Sequence, residues 1–300
     1  MARALQDATA ARPATTRRAP RRGWLNWLPV VPFFAYIVVF LIVPSIWLIA
    51  NAFILPNGGA TLDNVNQLFQ GEYPDDYKTS LALSASTAVI GTVCGFFIAY
   101  AALKDGAPRW IRNVLTTFSG VAANFAGVPL AFAFIATLGT TGFITKFLAD
   151  RGLDLYGAGF TLYSLGGLIV VYSYFQLPLM ILLIAPAIDG LRAEWAQAAE
   201  NLGATSWQYW RYIGLPILLP SLLSALVLLF GSAFAAYATS VALVGTSISL
   251  VPAAIGRLVT GDFGSNPRMA DALSLGMIAI IAVAMVVYGL LQRRVSRWRR

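Results

Sequence analysis

Six long apolar runs separated by polar stretches set the pattern of this chain. They cover about 28–52, 80–103, 113–138, 165–187, 215–238 and 270–291. Each is long enough for the roughly 20 residues a helix needs to cross a bilayer. No Asp, Glu, Lys or Arg lies well inside any run, and Asp271 sits at the edge of the last. The pattern predicts an all-α membrane protein with six transmembrane helices. Prolines interrupt several runs: Pro29, Pro32 and Pro44 in the first, Pro129 in the third, Pro178 in the fourth. Two outcomes stand open for them. A neighbouring helix can satisfy the freed carbonyl while the helix continues, or the helix is broken around a solute path.

Composition strengthens the membrane assignment and removes other functions. Of 300 residues, 58% are hydrophobic and 11% charged, against roughly 25% charged in soluble domains. The mean hydropathy is +0.70. There is no histidine and one cysteine, Cys94. This excludes a His/Cys metal cluster, a disulfide framework and a hydrolase with a histidine base. Without a histidine partner, Cys94 reads as a buried structural thiol. An intramembrane enzyme needs a nucleophile with a base, or paired carboxylates, at membrane depth, and the runs offer neither. None of Lys78, Lys104 and Lys146 stands in the glycine pattern of a P-loop. The chain is therefore expected to bind no cofactor and to hydrolyse no ATP by that chemistry.

Charge orients the helices. The net charge is +8, and arginine crowds both ends. Such basic ends can bind nucleic acid, but they also flank spans and hold them facing the cytoplasm. An even number of spans puts both termini on one side. With that side inside, the basic residues divide sixteen to five. The N-terminal tail, the second loop (Lys104, Arg109, Arg112), the fourth loop (Arg192, Arg211) and the C-terminal tail are inside; Lys78, Lys146, Arg151, Arg257 and Arg268 are outside. The positive-inside rule then predicts both termini cytoplasmic and no nucleic-acid partner.

Residues 1–22 read as a disordered basic tail, 23–79 as the first span and its outer loop, 80–292 as the main bundle and 293–300 as a basic tail. A cleaved leader does not fit, because the run after the tail exceeds the 7–15 apolar residues of such a signal. The first outer loop has room for short interfacial helices. The Gly-, Thr- and Ser-rich third and fifth loops have room for re-entrant or docking elements.

The fourth loop, between the fourth and fifth runs, is the most informative. Residues 193–202 are good helix formers. Gly203 suits a helix C-terminus, where the chain turns with positive φ. A second short helix is expected with Ser206 as its N-cap. Trp207, Trp210 and Tyr212 on it fit a membrane interface, and Pro216 suits the first turn of the next span. Small residues Ala196, Ala198 and Ala199 leave room for another surface. From the residues alone, the segment is either an amphipathic connector or a docking element.

Gln197-Ala198-Ala199-Glu-Asn-Leu-Gly203-Ala204, followed by Ile213-Gly-Leu-Pro216, resembles the EAA motif of ABC importer permeases, with Gln197 where that family usually has Glu. The resemblance spans roughly 80–290 and is nearest to the spermidine/putrescine-type branch. The stretches Phe160–Pro178, Ile188–Leu191 and Asn266–Gly276 carry that looser likeness. It implies a type-I importer (MetI-like) bundle in a bacterial inner membrane, in which 193–216 is the coupling segment. It also implies its partners: two ATPase subunits holding ATP-Mg, a second permease subunit read here as a related chain, and an extracytoplasmic binding protein. Gln197, Ala198, Ala199, Gly203, Ala204, Ile213 and Pro216 would form the ATPase contact. Asn124, Tyr172, Ser173, Gln176, Ser232 and Tyr237 are candidates for the solute path. Each could instead bond to its own helix or a neighbour. The implied solute is polyamine-like, with iron(III), thiamine and aminoethylphosphonate as alternatives. A passive channel or membrane scaffold is the rival class, and neither has a use for an EAA segment.

Overall fold

A computed structural model describes residues 30–54, 59–104, 108–245, 247–260 and 266–296. The predicted basic tail 1–22 lies outside these residues. The described part is helical, and six helical stretches are long and apolar enough to cross a membrane: Val31–Ala52, Tyr73–Leu103, Val128–Ala149, Leu165–Asp189, Ser206–Phe234 and Pro267–Arg293. By its contacts the chain divides into Met1–Trp47 and Leu48–Arg300.

The first unit holds α1 (Val31–Ile37), a π-helical segment (Val38–Ile42) and the start of α2 (Val43–Ala52). Pro32 sits in the first turn of α1, where no N–H is needed. Pro44 lacks the N–H that a continuous α-helix would donate to Phe40. The wider turn just before it accommodates the defect, and Ser45 Oγ donates to Leu41 O at 2.6 Å.

The second unit is built on α4 (Tyr73–Leu103), which packs most extensively against α8 (Leu165–Asp189) and then α11 (Leu215–Phe234). The reason is a stripe of small residues on α4. Ser80, Ser84, Thr87, Ala88, Gly91, Gly95, Ala99 and Ala102 are all buried. They recur every three or four residues and so lie on one helix face. Small faces let backbones approach closely where lipid removes the hydrophobic drive between helices. Serine and threonine on the stripe bond back to their own helix: Ser84 Oγ to Ser80 O at 2.7 Å and Thr87 Oγ1 to Leu83 O at 2.9 Å. Cys94 falls off this face and is exposed, which corrects the expectation of a buried thiol.

The third apolar run is broken. α5 (Arg109–Ala122) and α6 (Val128–Leu138) replace the continuous span expected over 113–138, and α7 (Phe143–Ala149) extends the apolar stretch beyond it. Gly127 turns with φ 76° and Pro129 opens α6. The break has its own bonds. Asn124 Nδ2 donates to Gly120 O at 2.8 Å, and the Gly127 N–H donates to Thr239 Oγ1 at 2.8 Å. Thr239 lies on α12 (Ala238–Val244). The prolines thus divide between both outcomes. Pro129 starts a helix, whereas α8 runs unbroken through Pro178 and Pro186.

The first and fifth loops hold short helices. α3 (Asp63–Gln67) lies in the first, and α12 with α13 (Val251–Thr260) follow the fifth span. The fifth span ends earlier than expected, at Phe234. α14 (Pro267–Ser296) closes the bundle. Tyr77 Oη donates to Leu273 O at 2.6 Å, tying α4 to α14. The Val251 N–H donates to Ser80 Oγ at 2.9 Å, tying α4 to the first turn of α13.

Candidate functional site

The fourth loop folds as α9 (Ala193–Asn201), a glycine turn, and α10 (Ser206–Tyr209). Gly203 has φ 76°. Its N–H donates to Glu200 O at 2.8 Å, and the Ala204 N–H donates to Ala199 O at 3.0 Å. This pair of bonds satisfies carbonyls that the helix end leaves open, and it requires the left-handed residue between them. The next helix starts one residue earlier than expected. Thr205 is its N-cap, and Ser206 is the first helical residue. Gln208 stands three residues after Thr205, so the two cap each other. The Gln208 N–H donates to Thr205 Oγ1, and the Thr205 N–H donates to Gln208 Oε1 at 2.7 Å. α10 then continues into the fifth span through a π-helical segment, Trp210–Gly214, so that Ser206–Phe234 forms one long stretch.

The residues of the coupling motif separate by exposure. Ala199 is buried, Ala204 and Ile213 are half-buried, and Gln197, Ala198, Gly203 and Pro216 are exposed. Leu202 stands out at 87% exposed. In the sequence it counts only as one of the helix formers of 193–202. The Schellman-type turn instead points it away from the bundle. The turn leaves Gln197, Ala198 and Leu202 exposed together. Trp207 and Tyr212 are also exposed, whereas Trp210 turns inward. Its ring meets Tyr100 with centroids 4.7 Å apart.

The six path candidates do not come together. Tyr172 is fully buried, and its hydroxyl donates to Ala236 O at 2.8 Å. That carbonyl lies just past the end of α11, where a helix leaves acceptors unpaired. Gln176 is also fully buried, with Nε2 donating to Leu229 O at 3.1 Å. Both side chains join α8 to the α11 region and offer no surface to a solute. Ser173 is half-buried and bonds back to Ile169 O at 2.7 Å. Asn124, Ser232 and Tyr237 are exposed. Two of these lie at helix breaks: Asn124 between α5 and α6, and Tyr237 just before α12. Tyr237 lies against Gly256, where a Cβ would come within 2.7 Å of its ring.

One charged group was placed in the wrong environment. α4 begins at Tyr73 instead of near 80, so Asp76 belongs to the helix. Its side chain is fully buried, and the groups that favour its charged form are Ser249, by a hydrogen bond, and Arg257. The acidic surroundings of Asp75 and Glu72 made the segment read as loop.

With the geometry in place, comparison with known proteins is direct. The family of binding-protein-dependent transport system inner membrane components matches residues 91–300. The chain belongs to this family, whose members are transport subunits of importers and not enzymes. Among curated relatives it is similar to the spermidine/putrescine transport system permease protein PotB of Haemophilus influenzae. The two are 24% identical over 269 residues, covering 87% of this chain and 92% of the relative. It is also similar to the molybdenum transport system permease protein ModB of Escherichia coli, 25% identical over 67% of this chain and 88% of the relative. A bacterial transporter that imports the acidic polysaccharide alginate has the same fold. Its TM-score is 0.72 at 22% identity, covering 91% of this chain and 96% of that one. The methionine transporter MetNI aligns with a TM-score of 0.55.

Proposed function

We propose that the chain is one of two membrane subunits of an ATP-driven importer, with both termini cytoplasmic and α9 as the coupling helix. Two ATPase subunits carrying ATP-Mg dock on the exposed face of α9. A second permease subunit, a related chain, completes the solute path, and an extracytoplasmic binding protein delivers the solute. The firm α9 turn carries this reading. It holds Gln197, Ala198 and Leu202 outward while Ala199 is buried and its carbonyl accepts from the Ala204 N–H. ATP-driven closure of the ATPase pair would move α9, and the continuous helix from Ser206 would pass that movement into the bundle. Gln197 keeps a polar side chain at the dock without the charge of the usual glutamate.

The proposed solute is small and polyamine-like, supported by the relative PotB. Among the described residues no Asp or Glu lies in the middle of a span, so cation–π contacts from aromatic side chains would replace charge pairing. Asn124, Ser232 and Tyr237 are the path candidates with surface to offer, and Ser173 is next.

The test is co-purification from detergent extract of wild type and Gly203→Val. Valine in the left-handed region costs about 1–3 kcal/mol, and nothing crowds its Cβ, so the turn fails while the bundle survives. The expected result is ATPase capture by wild type and loss of capture by the variant. Equal capture by both would refute the docking role of α9. Binding protein recovered with the wild-type complex then identifies the solute, and spermidine uptake into proteoliposomes checks it.

A further inference from the structure

Two cavities adjoin behind the coupling segment, on the side of α9 and α10 that meets the bundle. The first has a volume of about 550 Å³ and lies among the ends of α4 and α8, the start of α5, and α9 and α10. Its described lining includes the cations Lys104, Arg112 and Arg192 and one anion, Asp189. Arg112 is committed to Asp189 at 2.5 Å. Lys104 and Arg192 are left in excess, with the phenols of Tyr100 and Tyr209 in the same wall. The second cavity has a volume of about 640 Å³ and is almost wholly apolar, walled by Phe96, Phe97, Trp207 and Leu215.

Tyr100 and Trp210 line both cavities. Their rings stand perpendicular, with centroids 4.7 Å apart. Gly214 makes this possible, because a Cβ there would sit 2.9 Å from the Trp210 ring. The partition is therefore held by the π-helical segment itself. A cationic chamber beside an aromatic one, next to exposed Trp207 and Tyr212, has the polarity of an amphiphile with an anionic head. Aromatic rings of this kind settle at the membrane interface, and basic pockets between membrane helices bind anionic lipid headgroups.

We propose that this double cavity binds an anionic glycerophospholipid. The phosphate lies between Lys104 and Arg192, within reach of the two phenols, and an acyl chain lies against Phe96, Phe97 and Trp207. The lipid would fill the space behind α9 and brace the coupling helix against the bundle.

The test uses the full-length chain in mild detergent. Native mass spectrometry follows titration with phosphatidylglycerol, with phosphatidylcholine of the same acyl chains, and with inorganic phosphate. Wild type should retain phosphatidylglycerol in preference to phosphatidylcholine. The double variant K104Q/R192Q should lose about 25-fold in phosphatidylglycerol affinity, from two cations near the surface, with phosphatidylcholine unchanged. Should that variant not purify, Lys104→Gln alone carries the test at about fivefold. Phe97→Ser, at an exposed position, should weaken both lipids. Equal affinity for the two lipids in wild type, or no change in the lysine variants, would overturn the proposal. So would displacement of the lipid by millimolar phosphate, which would mark a site for a free anion. No ATPase or transported solute enters the experiment, so its outcome is independent of the importer reading.

Discussion

Substituting Gly95 by alanine tests the close approach of α4 and α8 on which the bundle depends. Two effects of similar size oppose each other. Alanine is better than glycine inside a helix by about 1 kcal/mol, so the change should stabilise α4 if space allowed. It does not. A Cβ at residue 95 would lie 2.7 Å from Met180 Cβ, 2.8 Å from Met180 Cγ and 3.2 Å from Leu177 O. Carbon atoms pack best at about 3.5–4.0 Å. The helices would have to separate locally by roughly 0.8 Å to reach that range. Met180 Cβ is fixed to its backbone, so a rotamer change cannot relieve the contact. Overpacking of this kind costs about 1–3 kcal/mol. The steric cost exceeds the propensity gain, and Gly95→Ala should be less stable by up to about 2 kcal/mol. Heating detergent-purified protein and measuring the remaining monodisperse fraction reads this as a lower midpoint. Gly289→Ala is the control, because nothing lies within 4 Å of its Cβ. It should hold or raise the midpoint. If Gly95→Ala melted at or above wild type, the small-residue stripe would not be the packing determinant.

Other consequences can be measured on the same preparations. Tyr172→Phe removes the bond to Ala236 O and should cost about 0.5–1.5 kcal/mol, with ATPase stimulation per folded transporter unchanged; a selective loss of stimulation would restore Tyr172 to the path. Asp76→Asn keeps the volume of a fully buried side chain while removing its charge. Relieving the desolvation should hold or raise the midpoint, and a marked drop would show that Ser249 and Arg257 stabilise the carboxylate by more than its desolvation costs. Replacing Asn124, Ser232 and Tyr237 together by apolar residues should reduce uptake, with the midpoint lowered by no more than the lost Asn124 bond to Gly120 O is worth, about 0.5–1.5 kcal/mol. Unchanged uptake would remove them from the proposed path.

The sequence by itself determined the number of membrane helices, their approximate places and the glycine turn that ends α9. Each of these is a local property: a run long enough to span lipid, or a glycine in a turn that needs positive φ. Gly203 was legible for that reason. Thr205 could also have been read as the cap, since Gln208 stands at the spacing of a reciprocal pair. Tertiary structure decided what depends on neighbours. The break at Gly127 needs Thr239, 112 residues away, to take its N–H. Polarity alone selected Tyr172 and Gln176 as path residues, but their partners lie on the distant α11 region, so packing turned them into internal ties. Cys94 looked buried by residue type and became exposed because Gly91 and Gly95 take the packed face. Asp76 looked like loop until α4 extended past it and buried it. Apolar length is written in neighbouring residues, whereas the face a helix buries is set by the helices that meet it.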